Sequence, residues 1–187
     1  MLILASQSPR RKELLGLLRI PFAIRVADID ETMDLAADPY DEVARVSREK
    51  ALAVPREEAD IVIAADTIVV CCGQVLGKPH SEEEAARMLN LLSGRDHQVM
   101  TGLTVLRGKE SRTVTEVTDL HFRSLSQQEI QAYIATGEPM DKAGSYGIQG
   151  GAALFCEKIV GDYYNVMGLP MCRLHGILRQ IAPELLD

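Results

Sequence analysis

The 187-residue chain is short of several things, and each shortage closes off a class of function. Positive charge comes first. Twenty lysines and arginines against 27 acidic residues leave a formal net charge of −7. Grip on a phosphate backbone or an anionic membrane is largely electrostatic, and this balance opposes it. Neither a stable nucleic-acid partner nor a membrane is therefore expected, and any basic cluster is local and purposeful. Long apolar runs are missing too: no segment approaches the ~18 uninterrupted apolar residues of a membrane-spanning helix. The opening M-L-I-L-A-S is too short in its apolar run, and too poor in basic residues, for a secretory signal, so a cytoplasmic protein is expected. Cys71, Cys72, Cys156 and Cys172 show no C-x-x-C spacing, which predicts buried thiols in a reducing compartment. No G-x-G-x-x-G follows a strand, so a dinucleotide fold has no support. Repeats, linkers and low-complexity tracts are absent. What remains, 47% hydrophobic and 25% charged, is ordinary globular composition, and a single domain over residues 1–187 is the expectation.

The stretch Ile61–Val70, I-V-I-A-A-D-T-I-V-V, stands out against that background. It is a β-branched apolar run of the kind that forms a buried central strand, yet it carries a carboxylate, Asp66, and a hydroxyl, Thr67. Two readings of Asp66 are open. It closes a turn at the strand end, accepting backbone N–H groups there, or it is held at a strand end inside a cleft as a general base or metal ligand.

Other segments supply candidates for a substrate site. A short strand over Leu2–Ala5 leads to Ser6-Gln7-Ser8-Pro9, with Ser8 as N-cap and Pro9 as first residue of a helix whose apolar stripe is Leu14, Leu15 and Leu18. Arg10, Arg11 and Lys12 then fill the first turn, where the macrodipole disfavours cations. Free N–H groups and arginines together suit a phosphate chain. After a strand near Phe22–Val26, the acidic run Asp28-Ile29-Asp30-Glu31-Thr32 is either a divalent-cation loop or solvated surface. Asp38-Pro39 opens a second helix to about Val54, with Lys50 in the middle of its apolar stripe Val43, Val46, Ala51 and Val54. Its amine either snorkels to solvent or meets an anion in an internal cleft. Lys78 is placed between a permissive Gly77 and a rigid Pro79.

The remainder reads largely as scaffold. Ser81-x-x-Glu84 and Ser126-x-x-Glu129 are capping boxes for helices, the first with a core stripe of Ala85, Met88, Leu89 and Leu92. Ser93–His97 reads as a turn and His97 as structural. Strands follow over Gln98–Leu106 and Thr113–Phe122, joined by a charged connection, Arg107–Arg112. Met140–Gly151 is dense in glycine, which lets backbone approach another strand or a flat ligand. A strand over Ala152–Ile159, a turn at Gly161–Asn165 and a helix over Pro170–Ile181 complete the chain.

Taken in order, L-A-S-Q-S-P-R-R at 4–11, R-E-K-A at 48–51, A-A-D-T at 64–67, G-K-P at 77–79, S-G-R-D-H-Q-V at 93–99, D-K-A-G-S-Y-G-I-Q-G at 141–150 and G-D-Y-Y-N-V-M-G-L-P at 161–170 resemble the Maf-like nucleoside triphosphate pyrophosphatases. The motifs are spaced over almost the whole chain. The resemblance implies a two-lobed α/β architecture around an elongated mixed sheet, with flanking helices and a cleft between the lobes. It also implies metal-dependent hydrolysis of a nucleoside triphosphate to monophosphate and pyrophosphate, in a house-cleaning role and as a homodimer.

By motif, Asp66 matches the base, and Ser8, Arg10, Arg11, Lys50 and Lys78 match the phosphate-contacting set, with Lys50 and Lys78 joining Asp66 in catalysis. Glu31 and Asp66 match a site for Mg²⁺ or Mn²⁺. Arg10, Thr67 and Gln149 match positions tied to substrate choice, and the intact D-K-A-G-x-Y-G-I-Q-G segment resembles the branch acting on dTTP and UTP. Gln149 carries a donor and an acceptor that suit the O4 and N3–H edge of thymine or uracil. The alternatives are the same chemistry on 7-methyl-GTP, and a non-catalytic nucleotide sensor in cell division.

Overall fold

The computed structural model describes residues 1–26, 28–34 and 36–186. Seven strands form one mixed sheet: β1 (Leu2–Leu4), β2 (Phe22–Ile24), β3 (Ile61–Cys71), β4 (Gln74–Leu76), β5 (Asp96–Arg107), β6 (Glu110–Phe122) and β7 (Cys156–Val160). Their order is β2-β1-β3-β5-β6-β7, with β4 paired to β3. Among the described residues six α-helices accompany them: α1 (Pro9–Gly16), α2 (Pro39–Ala53), α3 (Glu82–Leu92), α4 (Gln127–Ile134), α5 (Tyr163–Met167) and α6 (Met171–Ile181). The chain divides into two compact units, Met1–Asp66 with Thr101–Glu116 and Gly168–Asp187, and Thr67–Met100 with Val117–Met167.

In the first unit β1 runs parallel to both β2 and β3. Parallel neighbours need crossover connections, which α1 and α2 provide. Both helices start as their caps dictate: the Ser8 side chain accepts from the Arg11 N–H, and the Asp38 carboxylate from the Tyr40 N–H at 2.9 Å. The stripe of α2 is buried as its spacing requires, and Ala51 and Val54 join Ile3, Ala5, Val62, Ala64 and Leu106 in a hydrophobic core. Helix α2 lies so close to β5 that a Cβ at Gly102 would stand 2.2 Å from the Val43 carbonyl oxygen. Only glycine fits there.

In the second unit α3 is capped by Ser81, whose hydroxyl accepts from Glu84 N–H at 3.2 Å, while the Glu84 carboxylate reaches past the cap to the His80 N–H. Helix α4 has the full capping box. His97, Phe122, Tyr133, Tyr146 and Phe155 form edge-to-face pairs with ring centroids 4.8 to 6.0 Å apart. Asn165 on α5 donates to the Val99 carbonyl and the Thr118 hydroxyl, both at 3.0 Å.

Several expectations need correction. Asp66 is neither turn former nor strand terminus. Strand β3 continues to Cys71, because a lysine compensates the carboxylate and the ladder need not break. Residues 107–112 are not a loop: β5 and β6 extend through them and turn over Gly108-Lys109, with Gly108 at φ 56°. His97 belongs to β5, drawn in by the aromatic cluster. Residues 151–154 form a 3₁₀ turn before the shorter β7, and 163–167 are helical. All four cysteines are free thiols, but only Cys71 is buried, because Cys72 begins the β3–β4 turn and Cys172 lies on the outer face of α6.

Candidate active site

The first unit carries six of the anticipated residues, Ser8, Arg10, Arg11, Glu31, Lys50 and Asp66. The parallel ladder of β1 with β3 ends at Leu4↔Ile63, and the Ala5 N–H adds one more bond to the Ile63 carbonyl at 2.8 Å. Beyond the carboxyl end of β1, the chain turns over Ser6 to Ser8 into α1. Ligands of parallel sheets collect at such strand ends. Asp66, three residues past the last β3 position paired to β1, is half-buried.

Lys50 reaches it. The ammonium donates to Asp66 Oδ1 at 2.6 Å and pairs with Glu31 Oε2 at 2.8 Å. The lysine and aspartate side chains are each 13% exposed, Glu31 57%. Of the two readings of Lys50, the inward one holds: the stem follows the α2 stripe and the amine ends on two carboxylates. Of the two readings of the acidic run, Glu31 is drawn into the site although its side chain stays largely solvated.

Arg11 is the second cationic component. Its Nε donates to the Gly168 carbonyl at 2.7 Å and its Nη1 to the Ser6 hydroxyl at 3.3 Å. Burial lowers its pKa, Asp66 and Glu31 pull against that shift, and Arg10 adds to it. An arginine remains protonated under any such shift of ordinary size. At the start of α1 the Arg11 guanidinium thus meets the Gly168 and Ser6 oxygens and feels the charges of Asp66 and Glu31.

Two supports were not legible in the sequence. Ser6 is buried and its hydroxyl accepts from both Ser8 N–H, at 3.2 Å, and Arg11. Arg45 forks onto Glu42 with bonds of 2.9 and 2.8 Å, pairs with Glu49, and donates to the Thr32 carbonyl at 2.9 Å, while Glu42 also accepts from Asp34 N–H. This holds the loop that carries Glu31. The Arg45 contact, with Asp34 N–H assisting, brings the buried Glu42 carboxyl down to about 2. The i, i+3 spacing of Glu42 and Arg45 was the available signal.

The second unit carries Thr67, Lys78 and Gln149. Thr67 is half-buried on β3, and Lys78 and Gln149 are exposed. The Lys78 loop is tied down through the Gly77 carbonyl, which accepts from Gly144 N–H at 3.0 Å. The glycines flanking Gln149 do not leave room for a flat ligand: a Cβ at Gly147 would meet Lys142 at 2.6 Å and one at Gly150 would meet Glu138 at 2.0 Å, so the protein's own side chains fill that space.

Among the described residues no three His, Cys, Asp or Glu side chains converge as a metal cage. Glu31 and Asp66 do converge on one cation, the Lys50 ammonium. Two hard carboxylate oxygens match the partial donor set of Mg²⁺ or Mn²⁺, which complete their shells with water and substrate phosphates.

A mixed α/β protein with an arginine at a helix start and a carboxylate–lysine pair just beyond its parallel β1–β3 ladder is the class defined so far. The chain belongs to the Maf-like family, whose model matches residues 1–181. It is 52% identical over 182 residues to a dTTP/UTP pyrophosphatase of Symbiobacterium thermophilum, covering 97% of this chain and 94% of that protein. A dTTP/UTP pyrophosphatase of Bacillus cereus strain B4264 is 48% identical over 180 residues, with 96% and 94% covered. A HAM1 protein from Coxiella burnetii shares the fold at a TM-score of 0.53 and 16% identity, over 96% of this chain and 98% of that one.

Proposed function

We propose that this chain hydrolyses dTTP and UTP to the nucleoside monophosphate and pyrophosphate. The observation that carries the reading is the Lys50 ammonium held between Asp66 and Glu31, with Arg11 beside them at the start of α1. The relatives described above support the choice of substrate.

In this reaction Asp66 orients a water and takes its proton as the water oxygen attacks the α-phosphorus. The bond from that phosphorus to the bridging oxygen breaks and pyrophosphate leaves. Lys50, already bonded to Asp66, fixes the carboxylate and offers its charge to the phosphate oxygens. Arg10, Arg11 and Lys78 neutralise the rest of the chain of phosphates, Arg11 with a guanidinium plane set by Gly168 and Ser6. Ser8 adds its hydroxyl at the helix cap. Glu31 and Asp66 would hold a Mg²⁺ or Mn²⁺, which when bound supplies charge neutralisation on the triphosphate and polarises the reacting phosphoryl group. Thr67 and Gln149 contribute to the choice of base. The same reading takes residues 1–187 as one catalytic domain, cytoplasmic and homodimeric as the family resemblance implies. No helix among the described residues is long and apolar enough to cross a membrane.

The test is a nucleotide panel that includes dTTP, UTP, dCTP and 7-methyl-GTP, with Mg²⁺, read by pyrophosphate release. Pyrophosphate from dTTP and UTP is expected. Release of orthophosphate alone refutes the chemistry, and intact triphosphate after hours would make the protein a binding module.

A further inference from the structure

Gln149 can read thymine or uracil only if its amide keeps one orientation. Its carbonyl accepting from N3–H and its amino group donating to O4 fit those bases. The same side chain turned over fits cytosine, whose N3 accepts and whose amino group donates. A glutamine on a loose turn would also hold its amide at no fixed distance from the base edge, so whatever fixes the turn takes part in base recognition.

The turn is fastened by one carboxylate. Glu138 Oε2 accepts from Gly151 N–H at 3.1 Å, just after Gln149. Glu138 Oε1 accepts from the Tyr133 hydroxyl at 2.9 Å, and that hydroxyl in turn accepts from Gly147 N–H at 3.0 Å, just before Gln149. The Gly150 N–H closes the turn onto the Gly147 carbonyl at 3.0 Å. Glu138 lies so tightly under it that a Cβ at Gly150 would fall 2.0 Å from Oε1. Lys142 braces the other end of the same residue, donating to the Glu138 carbonyl at 2.6 Å. Tyr133 is buried on α4, edge-on to Phe155 at 5.2 Å, so the clamp is anchored in the core. None of these groups has a role in the hydrolysis described above.

We propose that Glu138 is the positioning residue for base recognition: through Tyr133, Gly147 and Gly151 it clamps both ends of the turn that presents Gln149. The proposal rests on the functional reading above. Glu138→Gln keeps the volume but replaces one acceptor with an N–H₂ that faces a donor, so one end of the turn is released.

The experiment compares wild type with Glu138→Gln using dTTP as substrate and inorganic triphosphate, which has no base, as competitive inhibitor. The KM for dTTP is expected to rise about tenfold, the scale of one hydrogen bond, with kcat changed by less than about threefold and inhibition by triphosphate unaltered. Placed in a Gln149→Ala background, Glu138→Gln adds nothing further, since both act on one contact. Tyr133→Phe, which keeps the ring in the core and removes only the hydroxyl, shows the same split and carries the test if Glu138→Gln does not fold. An unchanged KM overturns the proposal. So does a parallel loss of triphosphate inhibition, which marks a brace for the fold alone, or full additivity with Gln149→Ala. Wild type that releases no pyrophosphate from dTTP or UTP overturns the functional reading and this proposal with it, whereas active wild type with base recognition insensitive to both variants overturns this proposal alone.

Discussion

Asp66→Asn separates the chemistry of the site from its architecture. The asparagine has the same shape, and its carbonyl oxygen can still accept the 2.6 Å bond from Lys50. What disappears is the proton acceptor and one charge of an ion pair whose side chains are each 13% exposed. Lys50 is not stranded by the change, because Glu31 Oε2 stays at 2.8 Å. The severe cost of an unpaired buried charge is therefore avoided, and the loss of stability is about 1 kcal/mol, as for a partly solvated pair. For a chain of this size that is a fall in Tm of roughly 2–4 °C. Activity responds on a different scale. A positioned general base contributes about 10²- to 10⁴-fold, or roughly 3–5 kcal/mol of barrier. The assay is pyrophosphate release from dTTP at saturating Mg²⁺, with a thermal melt on the same preparations. Turnover within about tenfold of wild type in a folded variant refutes Asp66 as the base. A melt lowered by more than about 10 °C refutes the claim that Glu31 keeps Lys50 satisfied.

Other perturbations follow from the same geometry. Arg11→Lys loses the 2.7 Å bond to the Gly168 carbonyl and the planar fork toward Ser6, so the KM for dTTP should rise about tenfold with little change in Tm; steady-state kinetics decide it. Arg45→Ala touches no substrate but releases the Thr32 carbonyl and Glu42 from the loop carrying Glu31, and the Mg²⁺ concentration for half-maximal rate should rise about fivefold, read by metal titration. His97 gives a pH signature. Burial pushes its pKa down to about 4, so the folded protein keeps it neutral where the unfolded chain, with an ordinary value near 6.5, binds a proton. Its stability is fully present above pH 6.5 and declines as pH falls toward 4, by up to about 3 kcal/mol. Urea unfolding between pH 7 and 4.5 should show that decline, and His97→Gln should flatten it; an unchanged slope refutes the assignment.

The readings that held and those that failed divide by range. Ser8-Pro9 and Asp38-Pro39 start helices where local rules place them, since a cap needs only a side-chain oxygen two or three residues from an orphan N–H. The α4 capping box is equally local. The errors came where a distant partner overrode a local preference. Asp66 reads locally as standing at a strand end, whereas Lys50, sixteen residues away, compensates it inside β3. His97 looked like part of a turn until Phe122 and Tyr146 packed against it. Residues 107–112 looked like a loop because their charges hid a hairpin whose strands continue to the last residue before the turn.

The same division applies to the site. The amino-acid order alone determined that Arg10 and Arg11 sit in the first turn of α1 and that Lys50 lies on the inward stripe of α2, since helical periodicity fixes which face a residue takes. Tertiary structure alone decided that one ammonium spans Asp66 and Glu31, that Ser6 and the Gly168 carbonyl aim Arg11, that Arg45 holds the Glu31 loop, and that Glu138 fills the space its neighbouring glycines leave. Those contacts join residues up to 157 positions apart, and periodicity has no reach across such a distance: which side chains meet there is settled by the packing of strands and helices as a whole.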